Sequence, residues 1–299
     1  VHQLYDSSRG VTKALYSNGT NAEATITNGL TQFHTDGFRV TSAAAVNENS
    51  MVCWNWHANS GTTATNNDGS ITTTTQVNSD AGFSIVTWAG GGTGSLGHGL
   101  GVVPDMWIVK NRDYAVSWAV GFSDSSFLGG TSNYLSLNTT QAILTYNNLW
   151  GSSPVNSSAI TMAGDRSVNI SGDDYVGYFF KAKQGFSKFG KYVGNGNSNG
   201  PFVYTGFKPA FVLLKRTDST GGWTIYDTKR GVNGNNYELF PNSSEAEYTG
   251  TSYFEADILS NGFKLRLTDG QINASGGTYI YMAFAENPFT TSTGVPCTA

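Results

Sequence analysis

The chain writes one phrase twice. Residues 96 to 113 read LGHGLGVVPDMWIVKNRD, and residues 201 to 218 read PFVYTGFKPAFVLLKRTD. Each runs from an aromatic or glycine-rich lead through Gly101 or Gly206 to Pro104 or Pro209, then through an apolar run to Lys110 or Lys215 and Asp113 or Asp218. A phrase that recurs at fixed spacing constrains the fold strongly, because each copy must be one supersecondary unit that packs in the same way. The phrase sits inside a longer unit of roughly 100 residues. The middle copy opens on GFSIVTWAGGG (82–92), passes Trp118 and closes on VNISGDDYVGYFFKAK (168–183). The last copy opens on GFSKFGKYVGNG (185–196), passes Trp223 and IYDTKRG, and closes on INASGGTYIYMAFAENPF (272–289).

The beginning of the chain overlays the second half of such a unit. HQLYDSSRGV (2–11) matches WTIYDTKRGV (223–232), HTDGFRV (34–40) matches LSNGFKL (259–265), and VNENSMVCWNW (46–56) falls on the closing strand. The expected organisation is therefore the C-terminal half of a first repeat over 1–59, a Ser/Thr/Asn-rich linker or extended crossing strand over 60–81, a second repeat over 82–184, a third over 185–289, and a tail over 290–299. A half-repeat does not bury its own face, so the missing strands are expected from residues before Val1, from another chain or from a rearranged copy.

Within a unit the strands read directly. MWIVK (106–110) and FVLLK (211–215) are apolar runs of the length of a strand covered on both faces. YVGYFF (175–180) and YIYMAF (279–284) are strands in which the small Gly177 and Ala283 admit a close neighbour. Pro104 and Pro209 stand at strand starts, where a missing amide donor is tolerated, and Gly101 and Gly206 mark turns with positive φ. Short Val/Ile/Thr/aromatic runs at about ten-residue spacing without helical periodicity predict an all-β chain of tandem β-sandwich or jelly-roll-like repeats.

Composition narrows the function. Only 13% of residues are charged and the net charge is −4, so the clustered Lys and Arg that nucleic acid or an acidic membrane surface requires are missing, and no apolar span for membrane insertion is seen. GGGTGSLGHGLG (90–101) lacks the Lys-Ser/Thr ending of a phosphate loop and reads as a hairpin loop. His2, His34, His57 and His98 have no metal-ligand spacing, and Cys53 and Cys297 do not form a disulfide framework. Asp173 and Asp174 in SGDD offer a weak calcium candidate, although the last copy has SGGT there and a turn is the simpler reading. Asp105, Asp113 and Asp165 are the acids near aromatics in the middle unit, without a nucleophile motif, and no cofactor or enzyme activity is predicted. Tyr5-Asp6 and Tyr226-Asp227, each followed by Arg-Gly, read as turns with a local ion pair. Trp88, Trp118, Tyr192 and Trp223 lie beside Gly- and Ser-rich loops, where an exposed ring would stack on a sugar face.

The phrases GFSIVTWAGGG, GHGLGVVPDMWIVKNRD, GFSKFGKYVGNGNSNGPFVYTGFKPAFVLLKRTD and NASGGTYIYMAFAENPF, with LYDSSRGVTKALYSNGTNAEAT, cover most of the chain. In these phrases the chain resembles the C-terminal repeat region of large virion proteins of tailed phages of marine and aquatic bacteria, cyanophages included. In such proteins the repeats tend to follow concanavalin-like domains. The resemblance implies an extracellular virion structural protein in a tail fibre or similar appendage, with other virion proteins and copies of itself as partners and host-surface glycan as the adhesive target. The rival readings are a capsid decoration protein, a glycan-degrading spike and a bacterial surface adhesin.

Overall fold

A computed structural model of the chain describes residues 2–43, 46–48, 51–59, 61–151, 155–231, 237–249 and 256–288. Cys297, Phe289 and the expected tail lie outside the described residues. Among the described residues there is no α-helix, and the strands pair antiparallel in several sheets. The chain divides into two compact units, each discontinuous in sequence. One comprises the residues up to Ser123 together with Tyr146–Lys181, and the other comprises Asp124–Thr145 together with the chain from Ala182 onward.

In the first unit the sheet order runs Ala119–Phe122, Met106–Asn111, Asp174–Phe180, Phe83–Ala89, Thr73–Asn78, Ala64–Asn66. Met106–Asn111 is buried along its whole length because it has a strand on each side and its apolar run fills both faces. The described residues 61–81 are neither a linker nor a crossing strand: Thr73–Asn78 pairs with Phe83–Ala89 inside the sheet, and Ala64–Asn66 pairs outside it. β-branched threonine suits the pleat, and Thr73, Thr75 and Gln76 are buried there. The glycine-rich stretch is likewise more than a loop, since Gly94–Gly97 pairs with Ala159–Met162. The first residues make a small sheet of Gln3–Leu4, Lys13–Tyr16 and Ala24–Thr25, followed by the hairpin of Leu30–Phe33 and Phe38–Val40.

Residues 51–59 carry no strand, contrary to the expectation for VNENSMVCWNW. The corresponding strands Asp174–Phe180 and Thr278–Ala285 each lie between two partners. Among the described residues no strand pairs with 51–59 in a ladder, and an extended run outside a ladder is not a strand; the Asn78 side chain instead donates to the His57 carbonyl (3.0 Å).

In the second unit a four-stranded sheet, ordered Ser187–Val193, Thr278–Ala285, Pro209–Arg216, Trp223–Asp227, faces a three-stranded one of Phe202–Tyr204, Gly262–Leu265 and Ala256–Leu259. Tyr192, Val212, Leu214 and Tyr281 from the first sheet share one core with Val203, Ile258, Phe263 and Leu265 from the second, which is sandwich packing. Asn133–Ser136 pairs with Leu144–Thr145 in the same unit. Gly101 and Gly206 have φ of +69° and +88°, as the turn reading requires.

Candidate functional site

The four aromatic rings proposed to meet glycan are core residues. Trp118 is 0% exposed and Trp223 1%, while Trp88 and Tyr192 are also buried. Trp88 stacks on Tyr175 with centroids 5.4 Å apart, and Tyr192 stacks on Tyr279 at 4.9 Å. Their polar edges are used internally: Trp88 Nε1 donates to Asn169 Oδ1 (3.1 Å) and Tyr192 Oη donates to the Ile272 carbonyl (2.8 Å). The exposed-ring expectation is thus corrected. A loop in sequence does not report which strand its flank packs against, and these flanks pack inward.

The paired carboxylates do not converge either. Asp173 is buried and accepts from Asn111 Nδ2 (2.8 Å), whereas the Asp174 side chain is 55% exposed and stands 4.0 Å from Arg112. Among the described residues no group of three or more His, Cys, Asp or Glu is placed to hold a metal. Asp105 holds Lys181 Nζ (2.8 Å), Asp113 accepts from the Asp174 amide (2.5 Å) and Asp165 accepts from the Ser167 amide (2.7 Å). His98 is fully buried: its Nδ1 accepts from the Leu100 amide, so Nε2 carries the proton and donates to the Asn156 carbonyl. Burial pushes its pKa below the ordinary histidine value. Cys53 is an exposed free thiol. A shallow polar depression of about 220 Å³ is lined by Thr72, Thr74, Thr87, Trp88, Arg112 and Asp174, which brings hydroxyls beside an ion pair but no nucleophile with a base.

What the structure does assemble, once in each unit, is a docking edge for a short segment distant in sequence. In the first unit the ammonium of Lys110, 0% exposed, donates to the carbonyls of Thr20 (3.1 Å), Asn111 (2.8 Å) and Tyr114 (3.3 Å). Trp118 Nε1 donates to the Tyr16 carbonyl (2.9 Å), and the Glu23 amide donates to the Arg112 carbonyl (2.7 Å). In the second unit Lys215, also 0% exposed, donates to the carbonyls of Thr140 (3.4 Å) and Arg216 (2.7 Å). Trp223 Nε1 donates to the Ser136 carbonyl (2.9 Å), and the Ile143 amide donates to the Thr217 carbonyl (2.9 Å). Tyr16, Thr20 and Glu23 thus correspond one for one to Ser136, Thr140 and Ile143. Desolvation lowers both lysines to about 8 from the ordinary 10.5.

The acceptor segments share a faint signature, Leu-x-x-Asn-x-Ser/Thr: Leu15 to Thr20, Leu135 to Thr140 and Leu239 to Ser244. Sequence reasoning missed it because the loop around it varies in length and only three positions recur. The carbonyls that matter carry no side-chain identity at all.

In the first unit the segment is also locked by buried charge. Arg9 Nε meets Asp6 Oδ2 (2.5 Å), its Nη1 meets Glu23 Oε2 (3.0 Å) and the Lys13 carbonyl (3.1 Å), and its Nη2 meets the Leu4 carbonyl (3.1 Å). Tyr178 Oη donates to Asp6 (2.7 Å), and Arg112 holds Glu23 from the other side (2.9 Å). Burial alone would raise the Glu23 carboxyl, but the hydrogen bonds from Arg112 and Arg9 outweigh it and hold it below the ordinary glutamate value. Arg230, Asp227 and Glu247 repeat the pattern, with Arg230 Nε 2.6 Å from Asp227 and Nη1 2.7 Å from Glu247. The Tyr-Asp-x-x-Arg turn is therefore a largely buried clamp rather than a surface ion pair.

Comparison with curated proteins and with solved structures gives no match. A family model described as a domain of unknown function matches residues 1–288, and so spans the described parts of both units. The chain accordingly belongs to the DUF7483 family.

Proposed function

We propose that this chain is a non-enzymatic structural module of a phage particle, part of a tail fibre or similar appendage, in contact with other virion proteins and with copies of itself. One observation carries the reading: the residues that recur along the chain are spent on scaffold. Tyr175 Oη accepts from the Ile170 amide (2.9 Å) and donates to the Arg166 carbonyl (3.0 Å), and Tyr279 Oη likewise accepts from Ala274 (2.8 Å) and donates to Gly270 (2.9 Å). Asp113 receives the Asp174 amide as Asp218 receives that of Thr278. An enzyme keeps some polar groups in reserve for substrate, whereas here the recurrent ones already hold backbone. The resemblance of the repeated phrases to phage virion proteins points to the same reading. Glycan contact through Trp88, Trp118, Tyr192 or Trp223 is not part of it, because those ring faces are buried.

The test is to locate the protein on intact particles with antibodies against the folded chain, read by electron microscopy. Label on the tail or its fibres is the expected result. Label tiling the head would replace the appendage with a decoration protein, and label on uninfected bacterial surfaces alone would make it an adhesin.

A further inference from the structure

Three segments carry the Leu-x-x-Asn-x-Ser/Thr signature, and the two units contain two docking edges. Tyr16 and Thr20 occupy the edge of Lys110 and Trp118, and Ser136 and Thr140 occupy that of Lys215 and Trp223. The third segment, residues 237–248, is built in the same way. Leu239 bridges Ile225 just as Leu15 pairs with Leu4, and the Phe240 carbonyl accepts the Ser243 amide (3.0 Å) just as the Tyr16 carbonyl accepts that of Gly19 (3.4 Å). Glu247 takes Arg230 as Glu23 takes Arg9.

The difference lies on the outer side. Among the described residues no lysine or indole reaches the Phe240 or Ser244 carbonyl, and no carbonyl receives the Glu247 amide. The Glu247 carboxylate is 33% exposed where that of Glu23 is 9% exposed under Arg112.

We infer that residues 237–248 are a docking segment for a further copy of the same β-repeat, whose edge presents a buried lysine, an indole N–H and an arginine to the Ser244 carbonyl, the Phe240 carbonyl and Glu247. Charge complementarity selects the kind of edge. Glu247 matches the Lys110–Arg112–Trp118 edge, where an arginine meets Glu23, and not the Lys215–Thr217–Trp223 edge, where the matching positions are Thr217 and Ile143. The contact is heterologous, one face meeting a different face, so repetition of it builds a line of repeats rather than a closed pair. The inference stands on the contacts within each unit and does not depend on a virion location.

The probe is this chain with its own first edge opened, residues 13–25 being replaced by a glycine-serine stretch of equal length. It keeps residues 237–248 beside the open edge, so it is expected to line up head to tail on its own and, mixed with a large excess of the unaltered chain, which offers residues 237–248 but no open edge, to form a complex of twice the 31.9 kDa chain mass in sedimentation velocity. Glu247→Gln in the unaltered partner, which keeps an acceptor for Arg230, is expected to weaken that complex about tenfold, the scale of one charge-assisted bond. An opened chain that folds but sediments only at its own mass in the mixture overturns the inference.

Should the opened chain fail to fold, a second variant decides. Residues 13–25 are replaced by the sequence of residues 237–249. The first unit is expected to melt within about 5 °C of the unaltered chain and to protect the Trp118 indole proton from exchange, while a scrambled insert does neither. A chimera that behaves like the scrambled insert, or a scrambled insert that behaves like the unaltered chain, refutes the match.

Discussion

Replacing Arg9 by methionine is the sharpest perturbation of the first unit. The side chain is fully buried, and Met approximates its stem while removing the fork that serves Asp6, Glu23 and the carbonyls of Leu4 and Lys13. Asp6, 4% exposed at its side chain, keeps Tyr178 and two backbone amides but loses its countercharge. Breaking a buried ion pair from one side costs about 3–5 kcal/mol. At roughly 2–4 °C per kcal/mol for a unit of this size, the first melting transition should fall by about 6–20 °C.

Arg230→Met is the internal control. Its clamp is more open, with Glu247 33% exposed, so it should lose less, about 1.5–3 kcal/mol, the scale of charged hydrogen bonds. The assay is differential scanning calorimetry of both variants, with hydrogen exchange across residues 2–43 to assign the transition. Acid provides a second readout. The Glu23 carboxyl lies below its unfolded value in the folded chain, so the stability it contributes is present above the unfolded glutamate pKa and is lost as pH falls through the folded one. That acid limb should flatten in Arg9→Met. An Arg9→Met loss no larger than that of Arg230→Met, or an unchanged acid limb, would refute the buried-clamp argument.

Trp223→Phe keeps an aromatic ring in the core but leaves a void beside it and the buried Ser136 carbonyl without the indole proton, so at least about 1–3 kcal/mol should be lost in denaturant titration. Lys110 is held at about 8 against an ordinary 10.5, so the unfolded chain binds more protons between those values and stability should rise with pH across that window. Lys110→Met should remove its share of the slope, at most about 1.4 kcal/mol per pH unit, when the two chains are compared from pH 8 to 9.5. Gly206 has a φ of +88°, a conformation that disfavours any Cβ, and Gly206→Ala should lower stability by about 1–2 kcal/mol, whereas the same change at Gly130, in ordinary backbone, should cost much less.

The sequence determined the strand set well where the signal is local. MWIVK, FVLLK, YVGYFF and YIYMAF are strands because continuous apolar, β-branched and aromatic runs bury both faces, and Gly101 and Gly206 turn the chain where a positive φ is needed. It misjudged residues 61–81, where threonines look like a linker until a neighbouring strand gives them a ladder, and residues 51–59, where apolar residues look like a strand but join no ladder among the described residues. The candidate rings show the same limit. Trp118 and Trp223 recur visibly, but whether a ring meets solvent or core depends on what folds over it, here segments around Tyr16 and Ser136 more than 80 residues earlier. Periodicity records which side of a strand is apolar. It does not record which distant carbonyl a buried lysine or indole will find, because every residue carries the same carbonyl and only tertiary packing brings one of them within reach of the donor.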